Sequence, residues 1–400
     1  MSSHRLRVLI VTKIFPNAAE PLSSPFNRQQ FAALGRLCDV EVLATIPWFP
    51  GARALGRWSA AGRLTGVPSS EIIDGLTVRH PRFLFLPKLG HSFSGALYAA
   101  SLAPLVVRDY RAVDVVMGSW AYPDGAAAVA LASLIRVPSV VKLHGSDMNV
   151  VATMPGPRQN LRWLLPRAAR VVAVSQALAD EAARLGVARD RIDVVGNGVD
   201  PKLFFPADQA AARVELGLAS DGKLLVYVGR LERSKGVLDL LDAFEKLAPV
   251  HRDLWLALIG EGAAGDECRR RAARIGAHVI VAGARQLGEV PRWMAASDLV
   301  TLPSWNEGSP NVVLEALACG RPVVASRVGG IPEIITSPSL GELVSAHDPD
   351  ALGAALVRVA NREFAPRAIV AASRGSWDDS AAKLHDVLCR AAGQRWERAA

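Results

Sequence analysis

The segment SWNEGSPNVVLEALACGRPVVAS, residues 304–326, has the pattern of a glycine-containing loop and a short helix followed by a strand. Apolar runs at residues 298–303 and 321–325 border its central part, so the order is strand, glycine-containing loop, short helix and strand. In an open parallel sheet such a loop binds ligands, and the helix N-terminus that follows it favours anions. Glu307 lies on the loop and Glu315 lies about two turns further along, so we predict different roles for these carboxylates.

The same alternation of apolar runs and helix-length segments continues along the whole chain, which predicts βα units and parallel sheets. The predicted strands of the first half are residues 6–11, 40–44, 113–117, 139–143, 170–174 and 192–195. Those of the second half are residues 224–228, 255–259, 278–282, 299–302 and 322–325. The glycine and two prolines of residues 197–206 mark a break between the two sets. We therefore predict an α/β protein with two Rossmann-like, doubly wound domains that face each other across a cleft.

Composition places the chain among globular proteins. It has 400 residues, half of them apolar, which is enough for two or three domains with sizeable cores. The four cysteines lie far apart, so neither a disulfide framework nor a zinc site is expected, and a reducing cytoplasm fits. They are Cys38, Cys268, Cys319 and Cys389. The longest apolar runs, residues 95–107 and 125–135, fall short of the ~18 residues of a membrane span, so we expect neither a transmembrane helix nor a signal peptide.

The positive charge is distributed unevenly. Residues 1–200 carry 22 Lys and Arg against 14 Asp and Glu, whereas residues 201–400 carry 24 of each. The net charge of +8 therefore lies entirely in the first half. A basic domain can bind nucleic acid, an acidic substrate or an anionic membrane. No nucleic-acid partner is expected, because the sequence has no Lys/Arg-rich run, RNP-like strand or Cys/His finger.

The segment GRLERSKG, residues 229–236, follows the first predicted strand of the second half and contains Arg230 and Lys235. Arg230 and Lys235 would project from the carboxyl end of a parallel strand, where a diphosphate binds, and Gly229 allows close backbone approach. The alternative is a pair of solvated loop cations. No Walker lysine motif or Asp-x-Asp metal motif accompanies them, and fixed cations with helix N-termini could neutralise a diphosphate without magnesium. We therefore predict no metal.

A histidine ends the predicted strand 139–143, in HGSD, residues 144–147. His144, followed by a glycine, could reach a ligand from a loop held by the sheet. The alternative is a structural histidine. Asp147 is a further site candidate, although an Asp just before a helix can also serve as its N-cap.

Taken together, the segments 304–326, 229–236 and 144–147 resemble family 4 glycosyltransferases, which are retaining enzymes with the two-domain GT-B fold. The segment YPDG, residues 122–125, and the loop SSPFNRQQ, residues 23–30, resemble the polysaccharide-type members. That family has a glycine where this chain has Ser24, a residue that resists positive φ. The neighbouring Phe26, Arg28 and Gln30 are retained.

The resemblance implies transfer of a sugar, with retention, from a UDP- or GDP-linked donor to a hydroxyl of a glycan or lipid-linked acceptor in cell-surface glycan synthesis. Glu307 and His144 would contact the donor sugar, Glu315 the ribose, and Arg230 with Lys235 the leaving diphosphate. No cofactor besides the donor substrate is expected. The other donor-binding candidates are Gly229, Gly308, Ser309, Asn311 and Arg285. The candidates for the acceptor or its loop are Asp147, Ser24 and Arg28.

The resemblance also divides the chain by role. Residues 1–197 would form the acceptor-side domain and residues 198–374 the nucleotide-sugar-binding domain. Residues 375–400 would form a helix that crosses back to pack on the first domain. Two alternatives stay open: an epimerase or hydrolase of nucleotide sugars on the same fold, and a catalytically silent nucleotide-sugar-binding protein.

Aromatic and basic residues are mixed in two stretches of the first half, residues 48–63 and 82–88. They could dock on an anionic membrane surface or a lipid-linked acceptor. They could equally be loops that pack over the domain. The expected location is the cytoplasm, with a peripheral place on the inner face of the membrane left open.

Overall fold

The structure is a computed structural model, and it describes residues 5–21, 23–85, 92–373 and 375–399. Its strands are β1 (Arg7–Thr12), β2 (Asp39–Ala44), β3 (Ile46–Trp48), β4 (Ser70–Ile73), β5 (Leu76–Arg79), β6 (Arg82–Leu84), β7 (Val115–Ser119), β8 (Ser139–Leu143), β9 (Arg170–Ala173), β10 (Ile192–Val194), β11 (Lys223–Val228), β12 (Leu254–Ile259), β13 (Val279–Gly283), β14 (Leu299–Leu302), β15 (Val323–Ser326) and β16 (Gly341–Val344).

Helices separate most of these strands, as the alternating pattern predicts. They are α1 (Pro25–Gly35), α2 (Ala60–Arg63), α3 (Ser94–Asp109), α4 (Ala126–Ile135), α5 (Ser146–Asn149), α6 (Pro155–Leu164), α7 (Gln176–Arg184), α8 (Gln209–Glu215), α9 (Val237–Leu247), α10 (Gly265–Ile275), α11 (Val290–Ala296), α12 (Asn311–Ala318), α13 (Ile331–Ile334), α14 (Pro349–Ala360), α15 (Pro366–Ala372) and α16 (Trp377–Ala399). None of the helices in the described residues combines the length and hydropathy that a membrane span requires.

The described chain forms two compact units. The first unit takes the described residues of Met1–Asn197 and Trp377–Ala400, and the second takes those of Gly198–Ser376. Each unit has its own sheet. The last helix, α16, therefore belongs with the sheet of the first unit although it follows the second unit in sequence.

The first unit is built on a sheet with the order β10-β9-β8-β7-β1-β2-β5-β4. All neighbouring pairs are parallel except β4 and β5. Alternate residues of β1 face opposite layers. Ile10 packs in a core with residues of α1 and α16, and Leu9 packs in another core with residues of α3 and α4. Burial of both faces explains why the central strands are continuously apolar.

The second unit has a fully parallel sheet with the order β13-β12-β11-β14-β15-β16. Along β11, Tyr227 packs toward Phe244 of α9, whereas Val226 shares a core with Trp293 of α11. Both faces of this sheet are therefore covered, as in the first unit. The predicted α/β class with two doubly wound units is confirmed. Since all strands run in one direction, their carboxyl ends lie at one edge.

The strands β3, β4, β5, β6 and β16 were not predicted from the sequence. In the stretch 82–88, for which a docking surface or a covering loop was predicted, Phe83 instead belongs to a buried core. That side chain is 3% exposed and stacks on Tyr98 with 4.4 Å between ring centroids. Alternation over so short a strand is too brief to reveal which face is buried. Residues 86–88 lie outside the described residues.

Candidate active site

The carboxyl edge of the second sheet holds all the candidate residues predicted in that half. Gly229 and Arg230 follow β11, Arg285 follows β13, and Glu307 follows β14. β11 and β14 are hydrogen-bonded neighbours. The loops after these two strands therefore emerge side by side, which brings together residues more than seventy positions apart.

Lys235 and Glu307 form an ion pair at this edge. The Lys235 Nζ donates to Glu307 Oε1 at 2.6 Å, and the Ser304 hydroxyl donates to the same oxygen at 2.8 Å. The side chains of Lys235 and Glu307 are 24% and 11% exposed. An ion pair so well shielded from water is stronger than one on the surface, because bulk solvent screens it less.

Two glycines let the backbone close around this pair. Gly236 has φ +67°, and a Cβ there would lie 1.8 Å from the Pro303 carbonyl oxygen. Gly329 has φ +52°, and a Cβ there would lie 1.8 Å from the Glu307 carbonyl oxygen. Any other residue at either position would push the Lys235 or Glu307 loop outward.

Helix N-termini flank the same loops. α9 begins directly after Gly236. α12 begins at Asn311, and Ser309 and Pro310 directly precede it. The Trp305 N–H donates to the Ser234 carbonyl at 3.0 Å, and the indole N–H donates to Asp239 Oδ2 at 2.7 Å. These contacts tie the loop after β14 to the start of α9. Free N–H groups of a helix start carry positive partial charge, which favours an anion here.

The remaining predicted cations lie nearer the surface. The Arg230 side chain is 68% exposed and pairs with Glu232 at 2.8 Å. Its carbonyl accepts the Tyr227 hydroxyl at 2.8 Å, which holds the backbone of this turn. Arg285 is exposed and donates to the Ala284 carbonyl at 3.1 Å. Gly308 accepts the Gly330 N–H at 3.0 Å, so its loop is fixed from the side of β15.

Glu315 is a partly buried carboxyl group on α12. Burial raises its pKa from 4.5 to about 7. Among the described residues, no side chain or backbone group donates a hydrogen bond to its carboxyl oxygens. Burial without a hydrogen-bond donor disfavours the ionised form of this carboxyl group, and a pKa shifted by burial is common among binding residues.

In the first unit, His144 lies between two aromatic rings. Its ring centroid is 5.2 Å from that of Phe26 and 5.8 Å from that of Trp120. Burial, with a contribution from the nearby Lys142, keeps the pKa of His144 well below its usual value. The imidazole is therefore neutral at physiological pH.

A chain of hydrogen bonds assigns the tautomer of this neutral ring. The Asn27 Nδ2 donates to the Ile14 carbonyl at 2.9 Å, which turns Asn27 Oδ1 toward Ser119. The Ser119 hydroxyl donates to that oxygen at 3.2 Å, and it lies 2.9 Å from His144 Nε2. Since the hydroxyl has one proton, Nε2–H must be the donor to Ser119. Nδ1 is then a hydrogen-bond acceptor, and no described residue donates to it.

Asp147 is fully buried under the His144 loop. Its carboxylate accepts the backbone N–H groups of Ala121 at 2.8 Å and Gly145 at 2.7 Å. It also accepts those of His144 and Met148, both at 3.1 Å. Asp147 lies inside α5 and is not its N-cap, which is Gly145. These contacts occupy both oxygens, so the side chain holds the loops after β7 and β8 together.

Ser24 and Arg28 lie at the start of α1. Ser24 is the N-cap and adopts φ 47° and ψ 54°, so this serine takes the left-handed conformation that favours glycine. Its carbonyl accepts the Asn27 N–H at 3.1 Å. The Arg28 guanidinium forms two hydrogen bonds with Asp74, at 2.7 and 2.8 Å. Arg28 therefore braces the loop against the turn between β4 and β5.

The sequence analysis did not identify Ser119, Trp120 and Asp124 as site residues. Trp120 has φ 141°, unusual for a residue with a Cβ, and its indole N–H is buried without a hydrogen-bond partner. Asp124 Oδ1 is likewise buried and unpartnered, and burial raises the pKa of Asp124 to about 7. The predicted strand 113–117 ended two residues before β7 does, which placed Ser119 outside the strand. The unused signal was Ser119, a polar residue at the end of this otherwise apolar strand.

Among the described residues, no group of three or more His, Cys, Asp or Glu side chains could hold a metal ion. The second unit therefore presents an ion pair, surface cations and helix N-termini at the carboxyl edge of its sheet. The first unit presents, at the carboxyl edge of its own sheet, a neutral histidine in contact with two aromatic rings.

Comparisons with known proteins find glycosyltransferases similar to this chain over most of its length. Residues 13–203 match the family model described as Glycosyltransferase Family 4, and residues 222–362 match the one described as Glycosyl transferases group 1. The chain is 34% identical over 359 residues to a D-inositol 3-phosphate glycosyltransferase of Xylanimonas cellulosilytica, covering 82% of this chain and 85% of that protein. It is 28% identical over 332 residues to TuaC of Bacillus subtilis (strain 168), whose name assigns it to teichuronic acid biosynthesis; this covers 82% of this chain and 83% of TuaC.

A solved structure has the same fold at lower identity. The crystal structure of Anabaena Alr3699/HepE in complex with UDP-glucose superposes with a TM-score of 0.66 and 20% identity, covering 99% of each chain. This likeness concerns the fold.

Proposed function

This chain belongs to the family 4 glycosyltransferases, and from that membership we propose that it transfers a sugar from a nucleotide diphosphate sugar to a hydroxyl group of an acceptor. Residues 198–374 are proposed to bind the donor and residues 1–197 the acceptor. The names of two relatives, which concern inositol phosphate and teichuronic acid, support a sugar or sugar-like acceptor in cell-surface glycan synthesis.

The single observation that carries this proposal is the Lys235–Glu307 pair between two helix starts. Helix N-termini and a shielded ammonium group make a place for a diphosphate. Arg230, on the neighbouring turn, can fold its exposed guanidinium over the same anion. Glu307, next to the ammonium, is then proposed to accept hydrogen bonds from hydroxyls of the donor sugar.

We infer that the reaction retains the configuration at the anomeric carbon. The bond between this carbon and the diphosphate oxygen breaks, and its electron pair stays on the diphosphate. The acceptor oxygen forms its new bond on the same face, and its proton passes to the departing diphosphate. Lys235, Arg230 and the helix starts meet the growing negative charge, so binding is strongest in the transition state. These fixed cations support transfer without a metal ion.

Glu315 is proposed to bind the ribose of the donor nucleotide. An ionised carboxylate can accept two hydroxyl hydrogen bonds at once, and the Glu315 oxygens are without a partner. The loop of Gly283 and Arg285 is proposed to contact the base through backbone atoms, so a uracil or a guanine is compatible with it. Ser309 and Asn311 are proposed to meet the donor at the start of α12.

His144 is proposed to contact the sugar that is transferred, as a neutral acceptor through Nδ1. A hydroxyl of that sugar can donate to this nitrogen, while Nε2–H stays bound to Ser119. The rings of Phe26 and Trp120 would keep the imidazole in place. Asp147, Ser24 and Arg28 are proposed to act through the loops that they hold.

A thermal-shift screen with UDP-, GDP- and ADP-sugars tests the donor assignment, since a ligand at 100 times its Kd stabilises by ~2.7 kcal/mol. With the donor that stabilises the protein, NMR of the anomeric proton during transfer reports retention or inversion. An added chelator such as EDTA should leave the rate unchanged. Release of free sugar or of an epimeric nucleotide sugar without acceptor would favour a hydrolase or epimerase. Binding without any turnover would favour a silent binding protein.

A lipid-linked acceptor and a peripheral membrane location are also part of this proposal. Trp48 and Trp58 are 45% and 85% exposed, and Arg53 is exposed in the same segment. Aromatic and basic side chains together favour an anionic bilayer surface. Co-sedimentation with anionic and neutral vesicles tests it. We expect binding to anionic vesicles only, weaker in high salt and in an Arg53→Gln variant; equal pelleting with both kinds would contradict it.

A further inference from the structure

A small cavity lies beyond the carboxyl end of β2, outside the site described above. There the chain leaves the first sheet and forms β3, which pairs with β6. The cavity has a volume of about 260 Å³. Its walls include Trp48 at the end of β3, Phe49 directly after it, Arg53 in the following turn, and Arg82 of β6. Pockets for drug-sized ligands measure about 300–1,000 Å³, so this one suits a single ring.

Two guanidinium groups line this cavity without a carboxylate. Arg82 donates to the carbonyls of Leu64 at 3.1 Å, Thr65 at 3.2 Å and Val67 at 2.9 Å. These neutral acceptors fix the guanidinium and leave its charge uncompensated. Arg53 has no ion-pair or hydrogen-bond partner among the described residues. Two cations on one cavity attract an anion, because carboxylate and phosphate groups match the donor geometry of arginine.

The aromatic wall adds a second requirement on the ligand. Trp48 is 45% exposed, which is a large apolar surface to leave in water. The C–H face of a sugar ring packs well on an indole, whereas a free inorganic anion gains nothing from it. A charged sugar satisfies the arginines and the tryptophan together.

The position in the sheet relates this cavity to His144. β8, which precedes His144, and β2 are separated by β7 and β1 in the order β8-β7-β1-β2. Three strand spacings at about 4.8 Å amount to about 14 Å along the carboxyl edge. A ligand in the cavity therefore lies beyond reach of His144 but on the same edge of the same unit. This separation fits one or two sugar residues between them.

We propose that this cavity binds an anionic sugar ring of the acceptor, a sugar phosphate or a uronic acid, that lies about two residues from the hydroxyl that reacts. The assignment rests on the proposed transferase function. The cavity would then help to determine which acceptor is used, separately from the donor site. Arg53 and Arg82, which are part of the positive charge of the first half, would bind the anion of the acceptor.

Calorimetric titration of the full chain with glucose 1-phosphate, glucuronic acid and uncharged glucose tests this proposal. We expect wild type to bind at least one anionic probe at least tenfold more tightly than glucose. Arg53→Gln should lower that affinity about tenfold and leave glucose binding unchanged. Trp48→Leu should weaken all three sugars. The preferred anionic probe shows whether the acceptor carries a phosphate or a carboxylate.

Arg111→Gln is the matched control, since Arg111 is an exposed arginine at the opposite edge of the same sheet, just before β7. Thermal unfolding checks that each variant is folded. Equal affinities in Arg53→Gln and Arg111→Gln, or no binding of either anionic probe to wild type, would overturn the proposal. So would loss of binding in Arg230→Ala but not in Arg53→Gln, because the probe would then occupy the donor site. Failure to bind any nucleotide sugar would instead overturn the proposed function.

Discussion

Lys235 and Glu307 hold each other at 2.6 Å although 72 positions separate them in sequence. The sequence analysis assigned them separate roles, the diphosphate for the lysine and the sugar for the glutamate. The ion pair couples these roles, because a group that draws the ammonium away removes one of the hydrogen bonds that Glu307 Oε1 accepts and changes the charge around the carboxylate.

Glu307→Gln should reduce kcat by about 10²- to 10³-fold, because the amide keeps the shape of the side chain but loses the charge that we propose faces the reacting sugar. Affinity for the nucleoside diphosphate should stay within about threefold, as Lys235 remains in place. Steady-state kinetics and calorimetry measure the two effects. Glu333→Gln, an acidic residue of α13 on the same unit, is the control. A kcat close to that of wild type would show that the charge of Glu307 is not needed for the reaction.

Lys235→Ala should lower the affinity for UDP by about 10- to 100-fold, which corresponds to a charge-assisted hydrogen bond. Arg230→Ala should lower the affinity for UDP less, by about fivefold, because the Arg230 side chain is 68% exposed and its charge is therefore screened more by water. Uridine, which has no phosphate, should bind equally to all variants. Arg252→Ala removes an exposed cation at the amino edge and should change nothing. Equal losses for UDP and uridine would show that these residues support the fold and do not bind the diphosphate.

Glu315→Gln should change how stability depends on pH. The pKa of Glu315 is raised from 4.5 to about 7, so the folded protein binds its proton more tightly than the unfolded chain does. Its contribution to the free energy of unfolding is fully present below pH 4.5 and is lost as the pH rises to about 7. The variant should therefore gain up to about 3 kcal/mol over wild type at pH 8, and little at pH 4.5. Urea unfolding at both pH values measures this difference.

The same variant tests the ribose assignment. Wild type should gain uridine affinity between pH 6 and pH 8 as Glu315 ionises, and Glu315→Gln should show no such gain. Identical pH slopes in the two proteins would contradict the assignment even if the stability difference is found.

Ser119→Ala should disturb His144 without affecting the residues of the second unit that are proposed to bind the nucleoside diphosphate. It removes the acceptor of Nε2–H, so the Nδ1–H tautomer should become populated and turnover should fall about tenfold while UDP affinity stays unchanged. Nitrogen-15 NMR of histidine-labelled protein reports the tautomer directly. In wild type we expect one neutral Nε2–H form that does not titrate between pH 6 and pH 8. Ser133→Ala, an exposed serine of α4, is the control, and an unchanged tautomer in Ser119→Ala would refute the assignment.

Ser24→Gly should stabilise the protein by about 1 kcal/mol, because Ser24 occupies a left-handed conformation at φ 47° that glycine adopts without strain. The midpoint of thermal unfolding should rise by about 2–4 °C. Turnover should stay within twofold, since the serine already holds the loop in the shape that glycine allows. Ser23→Gly is the neighbouring control and should not stabilise. A lower midpoint in Ser24→Gly would contradict this prediction. It would show that the serine side chain stabilises the fold by more free energy than its left-handed backbone conformation costs.

The class of fold could be predicted from the amino-acid sequence, and so could the edge of each sheet at which the candidate residues lie. Apolar runs of strand length, glycines after them and helix-length segments between them are local patterns, and they are enough to predict parallel α/β units. They place His144, Arg230, Lys235 and Glu307 on loops at carboxyl ends of strands. Short strands such as β3 and β6 escaped prediction because three residues carry too little pattern.

Which side chains and backbone groups form hydrogen bonds with one another could be learned only from the folded structure. The partners of Ser119 and Asp147 include Asn27 and Ala121, which lie 92 and 26 positions away. No local pattern specifies such pairs, because they depend on which strands are neighbours in the sheet. The neutral state of His144 and the raised pKa of Glu315 follow from burial, which is likewise set by packing between distant segments. The left-handed Ser24 shows the same rule for the backbone, since its α1 and the loop before it impose a conformation that serine alone disfavours.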